Sequence, residues 1–103
     1  MVGLGDLMKQ AQRLKAEMDR IQAEAATKTV EGSAGGGMVT VVANGKGELL
    51  SVTIDPEAVR GDDVAMLQDL VTAAANDALR KARELLAQDV SRLTGGLGLP
   101  GLL

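Results

Sequence analysis

The sequence predicts an α+β domain: a helix, a β hairpin and a second, longer helix. Three observations carry that expectation. Apolar residues recur every three or four positions over 6–26, two β-branched runs flank a glycine-rich bend within 38–55, and about 32 residues after Gly61 contain neither Gly nor Pro. A chain of 103 residues is expected to form one domain with a modest core.

The first helix is expected from Asp6 to about Ala26. Leu7, Ala11, Leu14, Met18, Ile21 and Ala25 alternate steps of four and three, which draws a coiled-coil-like seam along one face. Asp6 is the expected N-cap. The period is lost in "TKTVEGSAGGG" at 27–37, whose first part reads as a strand and whose glycines read as a loop.

"MVTVVA" (38–43) and "ELLSVTID" (48–55) are the two hairpin strands. Val39, Val41 and Ala43 share one face of the first, while Leu50, Val52 and Ile54 alternate with Leu49, Ser51 and Thr53 in the second. Between them lies "NGKG", which invites comparison with a phosphate-gripping loop. Such a loop needs G-x-x-x-x-G-K followed by Ser or Thr, between a strand and a helix. Here Thr40 stands five before Gly45, Gly47 follows Lys46, and a strand comes next. The stretch is therefore read as a hairpin bend whose residues tolerate positive φ.

Asp55–Pro56–Glu57 has the order of an N-cap, a first-turn proline and an acid, as a single short turn requires. In the long helix that follows, Leu67, Val71, Ala74, Ala78, Ala82 and Leu85 line one face. Leu86, Val90 and Leu93 carry the stripe onward, and Thr94–Gly95–Gly96 is expected to stop it. Asp62 and Asp63 are better explained by the helix N-terminus than by a metal, since no third ligand lies nearby. The five Met residues read as core fillers or as an adaptable interface. A helix of roughly 48 Å is too long for one hairpin to cover, so a second subunit is expected.

Composition narrows function. The chain has no Cys, His, Phe, Tyr or Trp. That leaves no disulfide or thiolate site, no imidazole general base and no aromatic platform for stacking bases. No catalytic constellation, cofactor site or small-molecule substrate site is visible, and an enzyme is not expected. The chain shows neither a membrane span nor a signal peptide and reads as cytoplasmic. Its net charge of −3 does not by itself favour a polyanionic partner.

What remains is surface charge. On the first helix Lys9, Arg13 and Arg20 fall in a narrow arc opposite the apolar seam, with Lys15 to one side; on the long helix Arg80 and Arg83 face away from the apolar stripe, with Lys81 flanking it. Acidity is concentrated in residues 29–63, which carry two basic and six acidic groups, away from both helices. Two readings stand side by side. Arg13–Glu17, Arg20–Glu24 and Arg80–Glu84 have the spacing of ion pairs on a solvated face. Equally, rows of cations on paired helices suit contacts to phosphates.

The stretches "LMKQAQ", "GGGMVTVVANGKGELLSVTIDPE", "AAANDALRKARE" and "TGGLGLPG" together span nearly the whole chain. They resemble the YbaB/EbfC family of bacterial nucleoid-associated proteins. The resemblance implies an α-β-β-β-α order in which a three-stranded antiparallel sheet is flanked by an N-terminal helix and a long C-terminal helix. It also implies a homodimer with joined sheets and helices projecting like tweezer arms, located in the cytoplasm on the nucleoid. Double-stranded DNA is the implied partner, bound for chromosome organisation or gene regulation. Carried onto this chain, its helical contacts are Lys9, Arg13, Lys15, Arg20, Arg80, Lys81 and Arg83. Base reading would fall to polar side chains such as Gln10 or Gln12, so little sequence preference is expected. One domain is expected over 1–94 and a flexible Gly/Leu-rich tail over 95–103. The alternative function is a protein-interaction module, an adaptor for replication, recombination or repair proteins, docking through the seam, the Met residues and the tail.

Overall fold

A computed structural model describes residues 3–96. The order is α1 (Leu4–Ala25), β1 (Thr29–Ala34), β2 (Val39–Asn44), β3 (Leu49–Ile54), a 3-10 turn over Pro56–Val59, and α2 (Val64–Gly96). The strands form one antiparallel sheet in the order β1-β2-β3. The expected α-β-β-β-α architecture is therefore present, with "TVEGSA" (29–34) joining the hairpin as the third strand of the sheet.

The core lies between one face of the sheet and α2. Val39, Val41 and Ala43 of β2 are fully buried against Ala74 and Ala78, with Leu67, Leu70 and Val71 packed around them. The alanines matter because they let the helix approach the sheet closely. Gly32, opposite Val41 in β1, completes that fit: a Cβ there would stand 2.3 Å from the Ala78 backbone nitrogen and 2.5 Å from the Ala74 carbonyl. Backbone on both sides leaves nothing flexible to give way. Gly32→Ala is expected to destabilise the fold by about 3 kcal/mol, the upper part of the usual overpacking range. The check is a thermal melt, with a fall in Tm of about 10 °C or more; an unchanged Tm would refute the close packing.

The bend at 44–48 is a hairpin turn. The Asn44 side-chain oxygen accepts from the backbone N–H groups of Lys46 and Glu48, each at 3.0 Å, and its amide donates to Glu48 Oε1 at 2.8 Å. Only one glycine of the turn uses positive φ: Gly47, at +84°. Gly45 serves a different end, since its N–H donates to the Ala25 carbonyl at 2.8 Å and a Cβ would lie 2.8 Å from that same oxygen. The turn thus anchors the C-terminal end of α1.

Three local expectations are corrected. α1 starts at Leu4 with Gly3 at the N-cap position and no side-chain cap, so Asp6 sits in the first turn instead. Strict alternation fails in β3, where the register jumps between Val42 and Ala43 and pairs Ala43 with Leu49, leaving Leu50 as the extra residue of a bulge. Glu17, expected to pair with Arg13, accepts from Arg20 instead. α2 is described as far as Gly96, within the expected Thr94–Gly95–Gly96 stop, and residues 97–103 of the expected tail lie outside the described residues. Asp55 caps the short turn as expected, accepting from Glu57 N–H at 2.9 Å, and Asp63, expected only as an acid at the helix N-terminus, caps α2 by accepting from Met66 N–H at 2.9 Å.

Candidate nucleic-acid interface

The molecule is elongated, with extents of 71 × 23 × 17 Å. α2 packs on the sheet through its first half, and α1 returns against its second half. The contact between the helices is thin: Ile21 and Ala25 are the residues that α1 buries. Toward its N-terminus the seam is uncovered, with Leu4 75%, Leu7 53% and Leu14 42% exposed. An open cleft of about 590 Å³ lies there, lined by Leu7, Ala11, Leu14 and Leu93, with Gln10, Arg13 and Glu17 on its walls. α1 and the end of α2 thus make an arm that is firm at its base and open at its tip.

The structure divides the seven expected cations into two groups. Lys15 pairs with Asp19 at 2.8 Å. Arg20 is held by Glu17 at 2.7 Å and Glu24 at 2.8 Å, and Arg80 by Asp77 and Glu84, each at 2.8 Å. Hydrogen bonds to Glu17 and then Glu24 raise the Arg20 pKa, and those to Asp77 and Glu84 do the same for Arg80. Lys81 has an architectural task, donating to the Glu31 carbonyl of β1 at 2.9 Å and pairing with Asp77 at 3.3 Å. Lys9, Arg13 and Arg83 belong to the second group: they are exposed and make no ion pair with any described residue.

Two cations outside the expected set cluster at the base of the arm. Lys28 and Arg92 pair with Asp89 at 2.9 and 3.2 Å. The Arg92–Asp89 spacing of three is a helical-pair signal that the sequence does carry. Lys28 and Asp89 are 61 positions apart, so no local pattern announces them. Lys46 stands exposed at the hairpin tip without an ion pair among the described residues.

Asp77 and Asp89 fasten elements together. Asp77 accepts from Arg80, from the Ser33 N–H of β1 and from Lys81, in falling order of effect, and its pKa is lowered. Asp89 is lowered chiefly by its hydrogen bond with Lys28. A lowered folded-state pKa means stability that is present above the unfolded value of about 3.9 and lost as pH falls through the folded value. The fold is therefore expected to hold its acid stability down to about pH 4 and to lose it below. Asp77→Asn should flatten that acid limb in a circular-dichroism titration, and an unchanged limb would remove Asp77 from the account.

Among the described residues no helix is long and apolar enough to cross a membrane. The arm and the sheet carry exposed cations and exposed apolar residues, and comparison with known proteins gives this architecture a family. The model of the YbaB/EbfC DNA-binding family matches residues 1–97. The chain belongs to that family. A nucleoid-associated protein of Acetivibrio thermocellus is 55% identical over 100 residues, covering 96% of this chain and 88% of the relative. Another, from Pelotomaculum thermopropionicum, is 50% identical over 99 residues, covering 96% and 94%. The crystal structure of the uncharacterized Helicobacter pylori protein HP0035 shares the fold, with a TM-score of 0.80 at 24% identity over 90% of this chain and 98% of that one. This YbaB/EbfC chain therefore has the fold its sequence resemblance implied, and its family is one of nucleoid-associated DNA-binding proteins.

Proposed function

We propose that this protein is a non-enzymatic, homodimeric binder of double-stranded DNA that contacts phosphates with little sequence preference and helps organise or regulate the chromosome. The observation that carries the phosphate reading is the division among the cations. Lys9 and Arg13, toward the tip of the arm, have no carboxylate to satisfy them among the described residues, so a phosphate meets them without first displacing an ion pair. Arg83 is the corresponding residue on α2. Lys15, Arg20, Arg80 and Lys81 contribute field around these three and engage phosphate only by exchanging partners. Counterion release on contact supplies the driving force. The relatives are named nucleoid-associated proteins, and the same cytoplasmic, nucleoid setting is proposed here.

Dimerisation is supported by β3. It is an edge strand, every residue of it is exposed, and Leu49, Leu50, Val52 and Ile54 are 38–54% accessible. β1, the other edge, has α2 packed across it at Gly32. An open apolar edge invites pairing with another strand, and a second copy related by a twofold axis fits it with the same residues from both sides. The arms then project from a joined sheet as a pair.

The apolar cleft favours a second reading, an adaptor that seats a replication or recombination protein on Leu7, Leu14 and Leu93. One experiment separates the two. Purified protein is titrated against a labelled random duplex at about 50 and 200 mM salt, with mass measured by light scattering. A dimer whose DNA affinity falls by orders of magnitude across that step supports the first reading. A dimer that binds no duplex at the lower salt overturns it in favour of the adaptor.

A further inference from the structure

The direction of the arm has a single electrostatic fastening. Among the described residues, every ion pair but one joins positions three or four apart in sequence; the exception is Lys28–Asp89. It crosses from the segment after α1 to the upper half of α2, at the base of the arm, where Asp89, 11% exposed, also holds Arg92. An open depression of about 310 Å³ lies beside it, lined by the charged Arg20, Glu24, Lys28, Asp89 and Arg92 together with Ile21 and Leu93, so this junction is largely polar. Beyond Ile21 and Ala25 nothing on α1 is buried.

Leverage makes the junction consequential. Lys9 lies 16 residues from Ala25, about 24 Å along a helix, so a tilt of roughly 10° at the base moves Lys9 by about 4 Å. Successive charges on one DNA strand are about 3.4 Å apart along the axis, so such a tilt moves a cation from one phosphate position to the next.

We infer that Asp89, through Lys28, is a positioning residue that sets the angle of α1 on α2 and thereby the placement of Lys9 and Arg13 for phosphate contact. This inference rests on the DNA-binding reading for its consequence and on the fold alone for its geometry. It makes a prediction opposite in sign to simple charge counting. Asp89→Asn removes an acid from an acidic protein, which by charge alone strengthens DNA binding. A displaced arm weakens it instead, by about threefold to tenfold, as expected when one cation no longer meets its phosphate.

The test uses the full chain, which has no cysteine, with spin labels introduced by Met8→Cys and Gln88→Cys. Labelled protein is diluted with unlabelled protein so that distances within one protomer dominate. The parent is expected to give one narrow distance distribution without DNA. Asp89→Asn and Lys28→Gln should broaden it, and the exchanged pair Lys28→Asp with Asp89→Lys should narrow it again. Duplex titration of the same variants should show weaker binding for Asp89→Asn despite its added positive charge. An unchanged distribution in both single variants, or tighter binding of Asp89→Asn, overturns the inference. If Asp89→Asn does not fold, Lys28→Gln decides on the distances. If the parent binds no DNA, the function reading fails separately, and the distance distributions still decide whether this pair sets the arm.

Discussion

Reversing Lys9 and Arg13 together to glutamate is expected to reduce affinity for any duplex by at least about 100-fold at 50 mM salt. A dimer carries the pair twice, so as many as four phosphate contacts are at stake. Each contact removed lowers the slope of log affinity against log salt by about 0.9, and removal of all four would flatten it by roughly 3.6. Two controls give the measurement its meaning. Sequences of different composition should lose affinity equally, because phosphates carry no base information. Arg60→Glu, which reverses a cation paired with Glu57 near the opposite end of the sheet, should change binding far less. The fold should tolerate the double reversal, since both side chains are exposed and neither holds an ion pair among the described residues. Parent-like binding with a parent-like salt slope would remove the arm tip from the DNA contact.

Placing a lysine at Val52 is expected to turn a dimer into monomers. Val52 is 46% exposed in the single chain, so the protomer itself should keep its fold. In the proposed twofold pairing of β3 edges, however, the substitution places a charge among the apolar residues of the partner edge, once from each side. Natural sheets use inward-pointing charge on an edge strand to block this kind of pairing, and like charges facing each other cost several kcal/mol. The substitution should weaken the dimer by at least about 100-fold, which corresponds to about 2.7 kcal/mol. The readout is mass by light scattering at micromolar protein, with circular dichroism to confirm that the monomer is folded. DNA affinity should fall as well, because each monomer offers half of the cations. A Val52→Lys protein that stays dimeric would move the interface away from β3.

Much of this architecture was legible in the sequence. The seam from Leu7 to Ala25, the stripe from Leu67 to Leu93, the Asn44–Gly47 bend, the cap at Asp55 and the placing of Asp63 at a helix N-terminus all follow from spacing and turn chemistry within a few residues. The features that escaped are those whose partner lies elsewhere in the chain, or is one of two neighbours that spacing alone does not separate. Gly45 reads as a turn glycine, yet what excludes a side chain there is Ala25, packed against it from the end of α1. Arg13 and Glu17 have the spacing of a pair, yet Arg20 holds Glu17.

By itself the sequence determined the element types and their order, the face of each helix that is apolar, the absence of cysteine, histidine and aromatic side chains, and through its motifs the family. Those properties are local or cumulative, so they survive without knowledge of distant contacts. Tertiary structure decided which cations stand free at the arm tip, which strand is left as an open edge, and that Lys28 reaches Asp89 at its base. The free Arg13 follows from which of two near neighbours takes Glu17; the open edge and the Lys28–Asp89 pair depend on residues distant in the chain, where no periodicity connects them and only packing sets the distance.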